Sequence, residues 1–116
     1  MKPRRFIPPL VAVTLLALSL TAVAREYSID AEEWARPRSG EMLLSLSAVT
    51  QLMHDFEGAP NAGIEIRYPG GEMGLLWAEE LQAWLVALGV PSTRIVSTPG
   101  SSGEDKVDMV LVRPAQ

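Results

Sequence analysis

The chain has 116 residues, no cysteine and a single histidine, enough for one domain built on one modest core. Disulfides, a thiol nucleophile and a lipid-modified cysteine are therefore excluded, and a zinc site of ordinary ligand spacing does not arise with His54 as the sole imidazole. Ten basic against fourteen acidic side chains give a formal net charge of −4, the wrong sign for nucleic acid or an anionic membrane surface, both of which are held by Lys and Arg.

Lys2, Arg4 and Arg5 precede an apolar run from Leu10 to Leu20 and the small-x-small triplet Ala22-Val23-Ala24. This is the pattern of a secretory signal peptide cleaved after Ala24. A retained anchor fits less well, because the run is shorter than the roughly 20 residues a spanning helix needs, and Pro8 and Pro9 interrupt its start. The segment after Arg4-Arg5 does not follow the twin-arginine pattern, so general secretion is expected. The exported domain, residues 25–116, then holds seven basic against fourteen acidic side chains. A soluble export is expected, with no membrane insertion after cleavage and no nucleic-acid partner.

Along the domain, Arg25 to Asp30 alternates, with Tyr27 and Ile29 on one side, as in a short edge strand that Ala31 to Trp34 extends. Arg36-Pro37-Arg38 breaks regular structure. Ser39 caps a helix whose first turn contains Glu41, and Met42, Leu46, Val49, Met53 and Phe56 recur as one buried stripe up to Gly58. Ile64, Ile66 and Tyr68 alternate with Glu65 and Arg67 in a second strand. After the turn Pro69 to Gly74, Trp77, Leu81, Trp84 and Leu88, widened by Ala78 and Leu85, mark a second helix capped by Gly89. Trp84 is expected to be an anchor whose truncation nearly unfolds the domain. Arg94 to Thr98 reads as a strand, Pro99 to Glu104 as a polar turn, and Val107 to Val112 as a strand apolar on both faces, hence central. The order strand-helix-strand-helix-strand-strand predicts an α/β chain of the α+β two-layer type, with two helices on one face of a mixed sheet.

The turn Pro69-Gly70-Gly71-Glu72-Met73-Gly74 could present backbone N–H groups and a helix start to an anion. It lacks the Lys, Ser or Thr of a nucleotide loop, and Glu72 repels anions, so a structural turn is the plainer account. Arg67 and Tyr68 at the strand end, with Gly70, Gly71 and Glu72, form a shallow candidate site where such sheets often bind ligands. Trp34 with Arg36 and Arg38 has the composition of an interface hot spot, beside the simpler reading of a core tryptophan followed by a solvated linker. A hydrolase built on His54 needs an adjacent hydroxyl, and Asp55 at the next helical position points elsewhere. Glu79 and Glu80 are likewise adjacent on a helix and cannot flank one bond. Met42 and Met53 belong to the core stripe. No catalytic residue, metal or cofactor is expected.

Three segments carry a family resemblance: Ala59-Pro60-Asn61-Ala62-Gly63-Ile64-Glu65-Ile66, Leu85-Val86-Ala87-Leu88-Gly89-Val90-Pro91-Ser92-Thr93-Arg94-Ile95, and the spacing from Trp34 to Ile64. Together they resemble the OmpA-like domain, the periplasmic module that grips peptidoglycan in many envelope proteins. In that family an aspartate after the second strand and an arginine early on the next helix hold the charged groups of diaminopimelate. Counted along this chain, the aspartate's place falls on Gly71 and the arginine's on Trp77, and the turn between them is shorter. The family's asparagine-arginine-arginine before the last strand is Glu104-Asp105-Lys106 here. The resemblance thus implies the scaffold without its ligand-holding charges: a non-catalytic binding or scaffolding domain with an envelope protein partner. The alternative it leaves is a peptidoglycan-binding module with a rearranged site using Arg67, Glu72 or the arginines near Trp34.

Overall fold

The computed structural model describes residues 24–114; the expected signal peptide, apart from Ala24, and the last two residues lie outside them. Strands β1 (Ala24–Asp30), β2 (Gly63–Tyr68), β3 (Ile95–Pro99) and β4 (Lys106–Val112) form one sheet in the order β1-β4-β2-β3. β4 is antiparallel to both its neighbours, while β2 and β3 are parallel. The sheet is therefore mixed, and the apolar β4 lies inside it with residues 107–111 all buried.

Helices α1 (Ala31–Trp34), α2 (Gly40–Ser45), α3 (Ser47–Glu57) and α4 (Glu72–Ala87) complete the described elements, with a 3-10 turn at Ser92–Arg94. Tyr27, Met109 and Ile66 stand in one cross-strand row, and Leu111, Ile64 and Ile95 in another. All six are buried in one cluster with Leu43 and Leu52 from the first helical layer and Leu81 and Leu85 from α4. Both helical layers thus cover one face of the sheet, the predicted α+β two-layer arrangement. No helix among the described residues is long and apolar enough to cross a membrane.

Four expectations need correction. Ala31–Trp34 is helical and does not extend β1, because Asp30 and Glu33 close a capping box: the Asp30 carboxylate accepts from Glu33 N–H at 2.8 Å and Glu33 Oε1 accepts from Asp30 N–H at 3.1 Å. The helix that Ser39 caps ends at Ser45, and Leu46 is extended (φ −80°, ψ 121°) before α3 begins. That break resets the helical phase, so the buried stripe is Leu43, Leu46, Val49, Leu52 and Phe56, with Met42 and Met53 at its flanks. In α4 the buried line runs through Gly74, Ala78, Leu81 and Leu85, and Trp77, Trp84 and Leu88 are only partly buried. Small residues let this helix approach the sheet closely, which leaves the indoles at the margins and makes Trp84 a smaller contributor than its size suggests. Finally, α4 begins at Glu72, so the glycine turn is confined to Pro69–Gly71 and Gly74 lies within the helix.

Gly74 is required by that packing. A Cβ there would lie 1.7 Å from the Pro69 carbonyl oxygen, so no side chain fits without moving the turn. At its other end α4 leaves through a Schellman motif, with Val90 N–H on Leu85 O and Gly89 N–H on Val86 O, both 3.0 Å. The first layer is tied to β1 by Asp55, which accepts a short hydrogen bond from the Tyr27 hydroxyl and pairs with Arg25 at 3.1 Å. Burial first, then the Asp55 carboxylate, pushes the Tyr27 phenol up to about 12.

Candidate functional site

The capping box at Asp30 fixes α1, and the Ala31 N–H bond to Asp105 O (2.8 Å) anchors its start to the chain entering β4. This turns Trp34, the last residue of α1, onto Trp77 near the start of α4: the rings are stacked 6.0 Å apart with 27° between their planes. Arg38 fastens the pair from the side. Its guanidinium lies 4.9 Å from the centre of the Trp34 ring, donates to Trp34 O at 2.5 Å, and pairs with Glu80 at 2.5 Å. Trp77, predicted for the core stripe, and Glu80, for which no site role was expected, are therefore parts of one constellation with Trp34 and Arg38.

A groove of about 440 Å³ opens beside the stacked indoles. Pro69 and Gly70 of the glycine turn form part of it, and so do Met73 and Leu76, which are 78% and 58% exposed. Gly71 has φ +97°, a left-handed conformation that favours glycine, and its carbonyl accepts the Leu75 N–H to start α4. Glu104 and Asp105, both exposed, also line it. The Trp77 Nε1–H is buried with no hydrogen-bond partner among the described residues. A second hollow of about 430 Å³ shares Pro69, Gly70 and Glu104 and continues over the loop Gly100–Gly103. That loop is pinned by Asp108, buried on the helix-free face, which accepts from Ser102 N–H at 2.6 Å, Ser102 Oγ at 3.0 Å and Ser28 Oγ at 2.5 Å.

The remaining sequence candidates do not join this groove. Arg67 and Tyr68 are successive strand residues and face opposite sides: Arg67 pairs with Glu65 at 3.0 Å on the helix-free face, while Tyr68 packs against the core. They cannot line one shallow site with Glu72, whose side chain is exposed at the start of α4. Arg36 is exposed and contributes only its carbonyl, to Arg38 Nη1 at 3.3 Å. His54 is exposed on α3 and takes part in none of the described side-chain hydrogen bonds, while the neighbouring Asp55 turns to Tyr27. No group of three or more His, Asp or Glu side chains that could hold a metal ion occurs among the described residues.

A larger hollow, about 690 Å³, lies at the other end of the sheet beside Val96 and Val112. Both its charged side chains are committed to the fold. Arg94 lies 4.2 Å over the Phe56 ring and donates to the carbonyls of Ala62 (2.8 Å) and Ala59 (3.2 Å), and Glu65 is bound to Arg67. The smaller groove is thus the better candidate, since it combines exposed apolar side chains with unpaired carboxylates.

Met73, Leu76, Glu104 and Asp105 were not among the expected site residues. Their signal was present at Met73 and Leu76, apolar residues of α4 that fall outside its core stripe and so give the helix apolar side chains nearly all round. Glu104 and Asp105 stand out in the sequence only as a departure from the family's asparagine-arginine-arginine, and they reach the groove because the β3–β4 connection passes the end of β2. No family model matches this chain, and neither a curated protein nor a solved structure does.

Proposed function

We propose that this protein is an exported, non-catalytic binding or scaffolding domain of the cell envelope, OmpA-like in fold, working in the periplasm as part of an envelope assembly. One observation carries the reading: the wall of stacked Trp34 and Trp77, with exposed Met73 and Leu76 beside it, is an apolar and aromatic surface of the composition that protein partners use. The mixed sheet with helices on one face is compatible with the OmpA-like scaffold. Of the two positions that the resemblance assigns to ligand-holding charges, one is Trp77, an indole of the groove wall, and the other is Gly71, beside the groove-lining Gly70 and without a side chain. Such a surface suits a protein segment better than the charged groups of diaminopimelate.

The test is a photo-reactive residue placed at Met73 in living cells, with Gln51 on exposed α3 as the control position. A discrete covalent adduct with an envelope protein from Met73 and none from Gln51 is expected. Sedimentation with purified peptidoglycan should show no enrichment in the pellet. Absence of an adduct at Met73, or retention on the cell wall through the groove, overturns the reading.

A further inference from the structure

Deepening that reading, we propose that the groove takes an extended peptide segment that is cationic and carries apolar side chains, with Lys or Arg facing Glu104 and Asp105 and the apolar residues resting on Met73, Leu76 and the paired indoles. The charge balance of the groove selects the class. Its one lining cation, Arg38, is neutralised by Glu80 at 2.5 Å. Glu104 and Asp105 have no ion-pair partner among the described residues and are exposed. Lys106, next in sequence to Asp105, does not line the groove and stands opposite Asp30 in the β1–β4 register.

Rivals of other chemistry fit less well. An acidic or carboxylate-rich ligand meets two unpaired carboxylates and no unspent guanidinium. A second copy of this chain brings an excess of acidic side chains to an acidic rim, which opposes self-association through this face. An extended conformation suits the two adjoining hollows, whose linings share Pro69, Gly70 and Glu104, so that Glu104 stands where a segment would pass from one to the other. In such an interface the apolar contacts supply most of the affinity, while the carboxylates set the choice of partner and the rate of encounter.

The experiment uses the full exported chain and a fluorescein-labelled dodecapeptide of leucines spaced by lysines. One control peptide has glutamate for lysine and another has serine for leucine. The lysine–leucine peptide should bind, weaken as salt is raised, and shift the Trp34 and Trp77 indole resonances; both controls should bind more weakly. Glu104→Gln with Asp105→Asn should reduce affinity about fivefold, whereas Glu57→Gln on α3 should leave it unchanged. Equal binding of the glutamate peptide, no effect of the paired substitution, or resonance shifts confined to the Val96–Val112 hollow would overturn the proposal. An adduct at Met73 without lysine–leucine binding removes the cationic class and leaves the docking role; peptide binding without an adduct removes the envelope partner and leaves the chemistry of the groove.

Discussion

Helices α3 and α4 cover the same face of the sheet but divide their apolar residues differently. α3 places Val49, Leu52 and Phe56 in the core and exposes Thr50, Gln51, His54 and Glu57. α4 commits only Gly74, Ala78, Leu81 and Leu85 to the core and leaves Met73, Leu75, Leu76 and Val86 substantially exposed. The first helix is an amphipathic element used wholly for folding. The second holds its first turns to the fold with Gly74 and Ala78 and leaves Met73, Leu75 and Leu76 to solvent, so its sequence answers to packing and surface together.

That contrast can be broken by substitution. The largest effect is expected at Leu52→Ala, where a fully buried side chain of α3 leaves a cavity worth about 4 kcal/mol in urea unfolding. Next comes Gly74→Ala, a single methyl forced against the Pro69 carbonyl, expected to cost about 3 kcal/mol and to disturb the indole signals of the groove. If Gly74→Ala proved neutral, the close approach of α4 to the turn would be wrong.

A smaller effect separates the two layers by pH. Tyr27 has its folded pKa raised from 10.0 to about 12, so the native state keeps a proton that the unfolded chain has lost in that interval. Stability from this group is complete below pH 10 and falls as pH rises toward 12, by at most about 1.4 kcal/mol per pH unit. Tyr27→Phe should remove this contribution from the alkaline slope while the contacts of α4 are unaffected. Smallest of all, Leu76→Ser should move stability by under about 0.5 kcal/mol yet abolish the covalent adduct at Met73. A loss of several kcal/mol at Leu76 would assign it to the core and erase the difference between the helices.

The fold was more legible than the site. Alternation at Tyr27 and Ile29, and at Ile64 and Ile66, located two strands, and the run Val107–Val112, apolar except for Asp108, located the central one. The exact faces of the helices were not legible. The break at Leu46 shifts a stripe by a fraction of a turn, and the preference of α4 for Gly74 and Ala78 against the sheet hides behind the larger hydrophobicity of tryptophan. At the site, Trp34 and Arg38 were visible as an aromatic with a guanidinium nearby, and Gly70 as part of a turn. Arg67 and Tyr68 part to opposite faces because strand neighbours alternate, and of the two arginines after Trp34 only Arg38 turns back onto the indole.

By itself, then, the sequence determined what depends on local rules. Period-two and helical patterns set the elements, Ser39 and Gly89 marked helix ends, and the absence of cysteine with one histidine bounded the chemistry. Tertiary structure alone decided which distant residues meet. Trp34 reaches Trp77, and Arg38 reaches Glu80, across more than forty positions of sequence, because β1 and β2 flank β4 and their ends bring α1 and α4 together. Such contacts are set by sheet order and crossover hand, which are properties of the whole chain packed around one core and not of any segment within it.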